Sequence, residues 1–116
     1  IISKIGYHAI SMSEIDARGI AVIMDEILVP LQHDPQVHIH LSFDVDFIDP
    51  SVAPGVGTPE WGGPDARETR VIFEKLHQTG VLGSLEVVEY NPLCETDKTA
   101  YLLVSLLPFL FGKTLL

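Results

Sequence analysis

The chain reads as β-α-β-α-β-α, an α/β design with a parallel sheet. Three observations carry that expectation. Val37, Ile39, Leu41, Phe43 and Val45 alternate with polar residues, the period of a strand. Ile20 to Leu28 and Thr69 to Leu76 repeat apolar residues at the helical spacing. Each of these helical runs separates two strand-like runs, as the crossover of a parallel pair requires.

Tyr7 to Ile10 reads as a short first strand. Ser11 and Glu14 then have the spacing of a capping box, in which each side chain satisfies a backbone N–H at the helix start. Ile20, Ile23, Met24, Ile27 and Leu28 form one apolar helix face, and Pro30 is expected to end it. The second strand runs from Val37 to Val45. Asp65 to Gln78 reads as the second helix, with Thr69, Ile72, Phe73 and Leu76 on its inner face and Thr79-Gly80 as its stop.

Val81 to Tyr90 reads as another buried strand, broken by Asn91-Pro92. Thr96 or Asp97 then caps a last helix, in which Ala100, Leu103, Val104, Leu107 and Phe111 keep the helical period. Leu102, Leu106 and Leu110 lie on its other faces, so it is expected to be covered all round. Pro108 should disturb its end, and Gly112 followed by Lys113 should terminate it. Three parallel strands make a poor sheet alone, because their edges and both faces need cover. With no Met at the start, residues 1–116 are expected to be the C-terminal part of a single larger three-layer α/β/α domain.

Apolar residues make up 47% of the chain and charged residues 20%, which places it among globular domains. A net charge of −9 argues against nucleic acid and anionic membrane as partners, since both are polyanions. The apolar run Leu102 to Phe111 is too short to span a bilayer. The lone Cys94 has no internal partner for a disulfide and reads as an ordinary thiol, which fits a reducing, cytoplasmic compartment.

Chemistry concentrates at Asp44, Asp46 and Asp49, at D-x-D-x-x-D spacing where the second strand ends. Alternate residues of a strand share a face, so Asp44 and Asp46 are expected to point the same way. Two adjacent carboxylates repel unless a cation lies between them or one stays protonated. An isolated pair is also common turn chemistry. A calcium EF-hand loop is excluded, because its sixth position would be Asp49 instead of Gly and its twelfth Gly55 instead of Glu. His38 and His40 lie about 13–20 Å upstream of the aspartates along an extended chain. They read as hydrogen-bonded histidines under the sheet or at its edge.

The unbroken string from Asp44 to Gly63, DVDFIDPSVAPGVGTPEWGG, resembles the signature of the ureohydrolases, the arginase and agmatinase family. Ser11 to Asp16, the segment Glu86 to Pro92 and the ending around Lys98 to Ala100 extend the likeness over nearly the whole chain. The resemblance implies that Asp44 and Asp46 bind two Mn²⁺ ions and act in catalysis. It implies that Thr58 lies beside a guanidinium substrate and that Glu89 binds the guanidinium and takes part in catalysis. Hard carboxylate oxygens suit Mn²⁺, and paired ions make hydroxide available at neutral pH to attack the guanidinium carbon. A carboxylate such as Glu89 holds a planar guanidinium through paired hydrogen bonds. Glu86 reads as a supporting or structural acid, and Trp61 as a loop packing residue that could also rim the site.

The implied reaction is hydrolysis of L-arginine to L-ornithine and urea, by a homo-oligomer that is a trimer or hexamer. Agmatinase and formiminoglutamase are the alternatives within the family; Gly57-Thr58-Pro59-Glu60 leans toward agmatinase, Glu89-Tyr90-Asn91-Pro92 toward arginase. The family's two other ligand motifs, Gly-Gly-Asp-His and Asp-Ala-His-x-Asp, do not occur here. Alone, the chain is therefore expected to be inactive. A non-catalytic fragment with one weak cation site is the reading from a different class.

Overall fold

The computed structural model describes residues 7–95 and 97–115. Ser11 begins helix α1 (Met12–Arg18), its hydroxyl accepting from the backbone N–H of Glu14 at 3.3 Å. Gly19 then interrupts the expected single helix. Its φ of 84° lies where only glycine is at ease, and α2 (Ile20–Gln32) starts afresh from it. Pro30 does not end α2. It removes one donor near the end of the helix, and the chain stays helical through Gln32.

The sheet has two strands among the described residues, β1 (Ile39–Asp44) and β2 (Leu82–Val88), paired in parallel with Asp44 opposite Val88. The expected strand at Tyr7 to Ile10 does not form; these residues are irregular and Tyr7 is exposed. A strand exists only through pairing, and among the described residues no neighbour supplies a ladder for these residues.

Between the strands runs α3 (Ala66–Gln78), begun by a full capping box between Asp65 and Glu68. Thr69, Ile72, Phe73 and Leu76 are buried, as the spacing predicts. Phe73 meets Phe43 of β1 edge-on, with ring centroids 4.9 Å apart. Around this pair gather Leu28, Val45, Ile48, Leu103, Leu106 and Phe109, so the core lies on one face of the sheet. The other face, with His40, Ser42, Ser84 and Glu86, is exposed. Strand β2 is therefore half-covered here and not buried as expected.

The last helix, α4 (Lys98–Leu106), gives way to a 3₁₀ turn at Leu107–Phe111 with Pro108 in its first positions. Tightening to three residues per turn changes which side chains face inward. Phe109 and Leu110 are buried while Phe111 is 74% exposed, and Val104 is 73% exposed. The expected face through Val104 and Phe111, and the cover on all sides, are not what the chain adopts. Gly112 ends the turn at φ 90°, as expected.

Asp97 sits at the N-cap of α4 without a side-chain bond, and Thr96 lies outside the described residues. The cap is Glu95, whose carboxylate accepts from the N–H groups of Asp97, Lys98 and Thr99. No described helix is long and apolar enough to cross a membrane.

Candidate metal and substrate site

Both strands of a parallel pair end on the same side, so β1 and β2 deliver Asp44 and the segment after Val88 to one edge of the sheet. Strand alternation does not align the two aspartates, because β1 stops at Asp44. The chain turns there into a 3₁₀ turn, Val45–Phe47, and the Asp44 carboxylate accepts the Asp46 N–H at 2.8 Å. Val45 and Ile48, both fully buried, anchor the turn on either side of Asp46. A turn, instead of a pleat, brings the Asp44 carboxylate to the Asp46 backbone.

Asp46 is the half-buried member of the pair and Asp44 the exposed one. The Thr58 hydroxyl donates to Oδ2 of Asp46. Oδ1 of the same carboxylate is buried without a hydrogen-bond partner. A buried carboxylate oxygen left alone costs free energy on the order of 1–3 kcal/mol or more. It is the kind of acceptor a cation satisfies.

Asp49, the third carboxylate of the spacing, is used by the loop. It accepts from Ser51 N–H at 2.9 Å, from the Ser51 hydroxyl at 2.5 Å and from Gly62 N–H at 2.9 Å. The Ser51 hydroxyl, followed by these N–H groups, holds its carboxyl below the usual carboxylate range. Asp49 N–H donates to Pro64 O at 3.1 Å, which closes the loop on itself. Gly63 allows that closure: a Cβ there would lie 2.3 Å from the carbonyl oxygen of Phe47.

Glu89 follows β2 with a φ of 65°, the only non-glycine residue with positive φ among those described. Left-handed backbone costs an ordinary residue about 1–2 kcal/mol, and residues held this way cluster at functional sites. The next residue, Tyr90, forms an antiparallel bridge with Val56, so Glu89 is tied to the loop that carries Thr58. Its side chain is exposed. The structure thus joins Asp44, Asp46 and Thr58 through hydrogen bonds, and Glu89 through the backbone.

Glu86 stands apart on the exposed sheet face, accepting from the Ser42 hydroxyl at 2.8 Å with His40 Nε2 3.9 Å away. His40 Nδ1 pairs with Ser84 at 2.7 Å. Both are cross-strand neighbours in the register, which fits the sheet reading of His40 and the structural reading of Glu86. Trp61, 78% exposed, is not packed into the loop as expected. Among the described residues no group of three or more His, Cys, Asp or Glu is arranged to hold a metal ion.

Lys98 and Thr99, which the sequence offered only as part of the family likeness, fix this loop from α4. Lys98 Nζ donates to Ser51 O at 2.5 Å, and the Thr99 hydroxyl accepts Gly55 N–H at 2.7 Å. A further sequence signal is the polar Lys98-Thr99 pair opening a mostly apolar helix.

Comparison with known proteins gives a consistent picture. A model of the Arginase family matches residues 1–111. An arginase of Brevibacillus brevis is 41% identical over 117 residues, covering 100% of this chain and 39% of that protein. The crystal structure of arginase from Bacillus subtilis superposes with a TM-score of 0.90 at 40% identity, over 99% of this chain and 41% of that one. The agmatine ureohydrolase of Thermoplasma volcanium superposes with a TM-score of 0.75 at 29% identity, over 86% of this chain and 32% of that one. The chain spans less than half the length of the relatives it matches. Since the match runs from the first residue through β1, the loop, β2 and α4, this chain belongs to the arginase family.

Proposed function

We propose that this chain forms the C-terminal part of a single arginase-like domain and supplies half of its active site. The parent protein is a binuclear manganese hydrolase that converts L-arginine to L-ornithine and urea. One observation carries the reading: Asp46 has one oxygen held by Thr58 and the other buried and unpartnered, beside Asp44.

The donor set fits the metal. Two carboxylates are hard oxygen donors of the kind Mn²⁺ prefers, and the orphaned oxygen of Asp46 lacks only a cation. Asp44 and Asp46 would hold the ions. When bound, paired Mn²⁺ ions supply hydroxide at neutral pH by lowering the pKa of water.

The chain's own residues do the rest. Thr58 keeps Asp46 in one orientation by donating to Oδ2. Glu89, exposed at the end of β2, pairs with the planar guanidinium and fixes the direction in which its carbon faces the carboxylates. The reading places the protein in the cytoplasm, as a homo-oligomer (trimer or hexamer) acting on a small guanidinium compound.

The test is urea release from L-arginine and from agmatine in Mn²⁺, with the chain alone and with the remaining arginase-fold segment added. Urea from arginine only, on complementation, supports the proposal. Urea from agmatine points to agmatinase, and formamide released from formiminoglutamate, assayed in parallel, to the third family activity. A non-catalytic role is the second reading, favoured by the absence of a three-ligand cluster among the described residues. Silence on every substrate after complementation, with at most one weakly bound ion, selects it.

A further inference from the structure

The substrate side of the site is divided between two segments, the loop with Thr58 and the turn with Glu89. They meet at Gly55. Its carbonyl accepts Asn91 N–H at 2.8 Å, and the next residue, Val56, bridges to Tyr90. Its N–H donates to the Thr99 hydroxyl at 2.7 Å in a buried bond. Thr99 is fully buried in the first turn of α4. Its N–H donates to Glu95 at 2.9 Å.

A hydroxyl has one proton to give and lone pairs to receive with. The oxygen of Thr99 receives Gly55 N–H, while the backbone bond to Glu95 holds the residue that carries it. The contact admits no side chain at position 55: a Cβ there would lie 2.9 Å from Thr99 Oγ1 and 3.3 Å from the Glu95 carboxylate. Lys98 holds the same loop a second time, through Ser51 O. Helix α4 packs into the core through Leu103 and Leu106, so the anchor is rigid.

We propose that Thr99, oriented by Glu95, is a positioning residue that sets Thr58 and Glu89 against each other on the substrate side of the site. The assignment rests on the guanidinium reading for its substrate, and on geometry alone for the clamp. Thr99 touches neither Asp44 nor Asp46 through any hydrogen bond of the structure, so its effect falls on substrate binding more than on the metal-binding carboxylates.

The experiment uses the full-length Mn²⁺-loaded protein with Thr99→Val, Thr99→Ser and Glu95→Gln, and two independent readouts. The first is amide hydrogen exchange. Thr99→Val leaves Gly55 N–H buried without an acceptor, and exchange at Gly55 and Asn91 should quicken by about tenfold, the worth of one such bond. The second is steady-state kinetics on L-arginine, where KM should rise by about tenfold with kcat much less affected. Thr99→Ser should restore both. If Thr99→Val does not fold, Glu95→Gln, which keeps the Thr99 hydroxyl and weakens the bond that holds the Thr99 N–H, should move both readouts in the same direction by less.

Unchanged exchange at Gly55 and Asn91 overturns the clamp. So does a fall in kcat with KM constant, or a loss that Thr99→Ser fails to rescue. Lack of turnover by the unaltered full-length protein overturns the guanidinium reading instead, and the exchange data then judge the clamp separately.

Discussion

Thr58 and Asp46 are joined by a hydrogen bond from the Thr58 hydroxyl to one carboxylate oxygen, while the other oxygen of Asp46 is buried with no partner. The two residues are twelve positions apart, and the loop brings them within a hydrogen bond. Asp46→Asn keeps the shape and removes the charge. Mn²⁺ affinity, measured calorimetrically on the complemented protein, should fall by about tenfold or more, as expected for losing a charged oxygen ligand. Unchanged affinity would remove Asp46 from the metal site.

On the proposed reading, Glu89 trades stability against function. Glycine at this position relieves the left-handed backbone but adds disorder to the unfolded chain, so Glu89→Gly should leave stability unchanged or raise it by up to about 1 kcal/mol. Catalytic efficiency should meanwhile drop sharply, since the proposed guanidinium partner is gone. Urea denaturation and initial rates on the same samples test both halves. A variant that is destabilised and still active would contradict the role.

Phe73 is fully buried and meets Phe43 edge-on at the centre of the core. Phe73→Ala should cost about 3–5 kcal/mol, enough to unfold a marginal domain. Phe73→Leu should cost less, and thermal melts would rank the two.

Gly63 admits no methyl group, because its Cβ would fall 2.3 Å from Phe47 O. Gly63→Ala should shift the turn that carries Asp46. Loss of Mn²⁺ binding with helix content retained, by circular dichroism, is the expected pattern.

Glu95 gives the acid response its direction. The N–H of Thr99 first, and then that of Lys98 with the Thr99 hydroxyl, lower its carboxyl from 4.5 to about 2. A folded pKa below the unfolded one means the stabilisation is complete above about 4.5 and is lost as pH falls through about 2. The start of α4 should therefore fray over that window, followed by the Thr99 amide signal. Glu95→Gln should flatten the acid response. An identical titration in both proteins would assign it to other carboxylates, Asp49 among them, which is lowered in the same sense.

Local pattern alone determined much of this protein. The helix from Asp65 to Gln78, its buried face Thr69, Ile72, Phe73 and Leu76, the stop at Gly112 and the strand-end aspartates are all readable over a few residues, because caps and helical periods depend on neighbours in the chain. The family, too, was readable from the string Asp44 to Gly63. Tertiary structure decided what depends on distant partners. Whether Tyr7 to Ile10 forms a strand depends on a ladder that its own sequence cannot supply. Asp49 serves the loop because Gly62 and Ser51 close around it. Phe111 faces outward because a 3₁₀ turn replaces the helical period. The clamp of Glu95, Thr99 and Gly55 joins residues 44 positions apart, and only packing α4 against the loop brings them within a hydrogen bond.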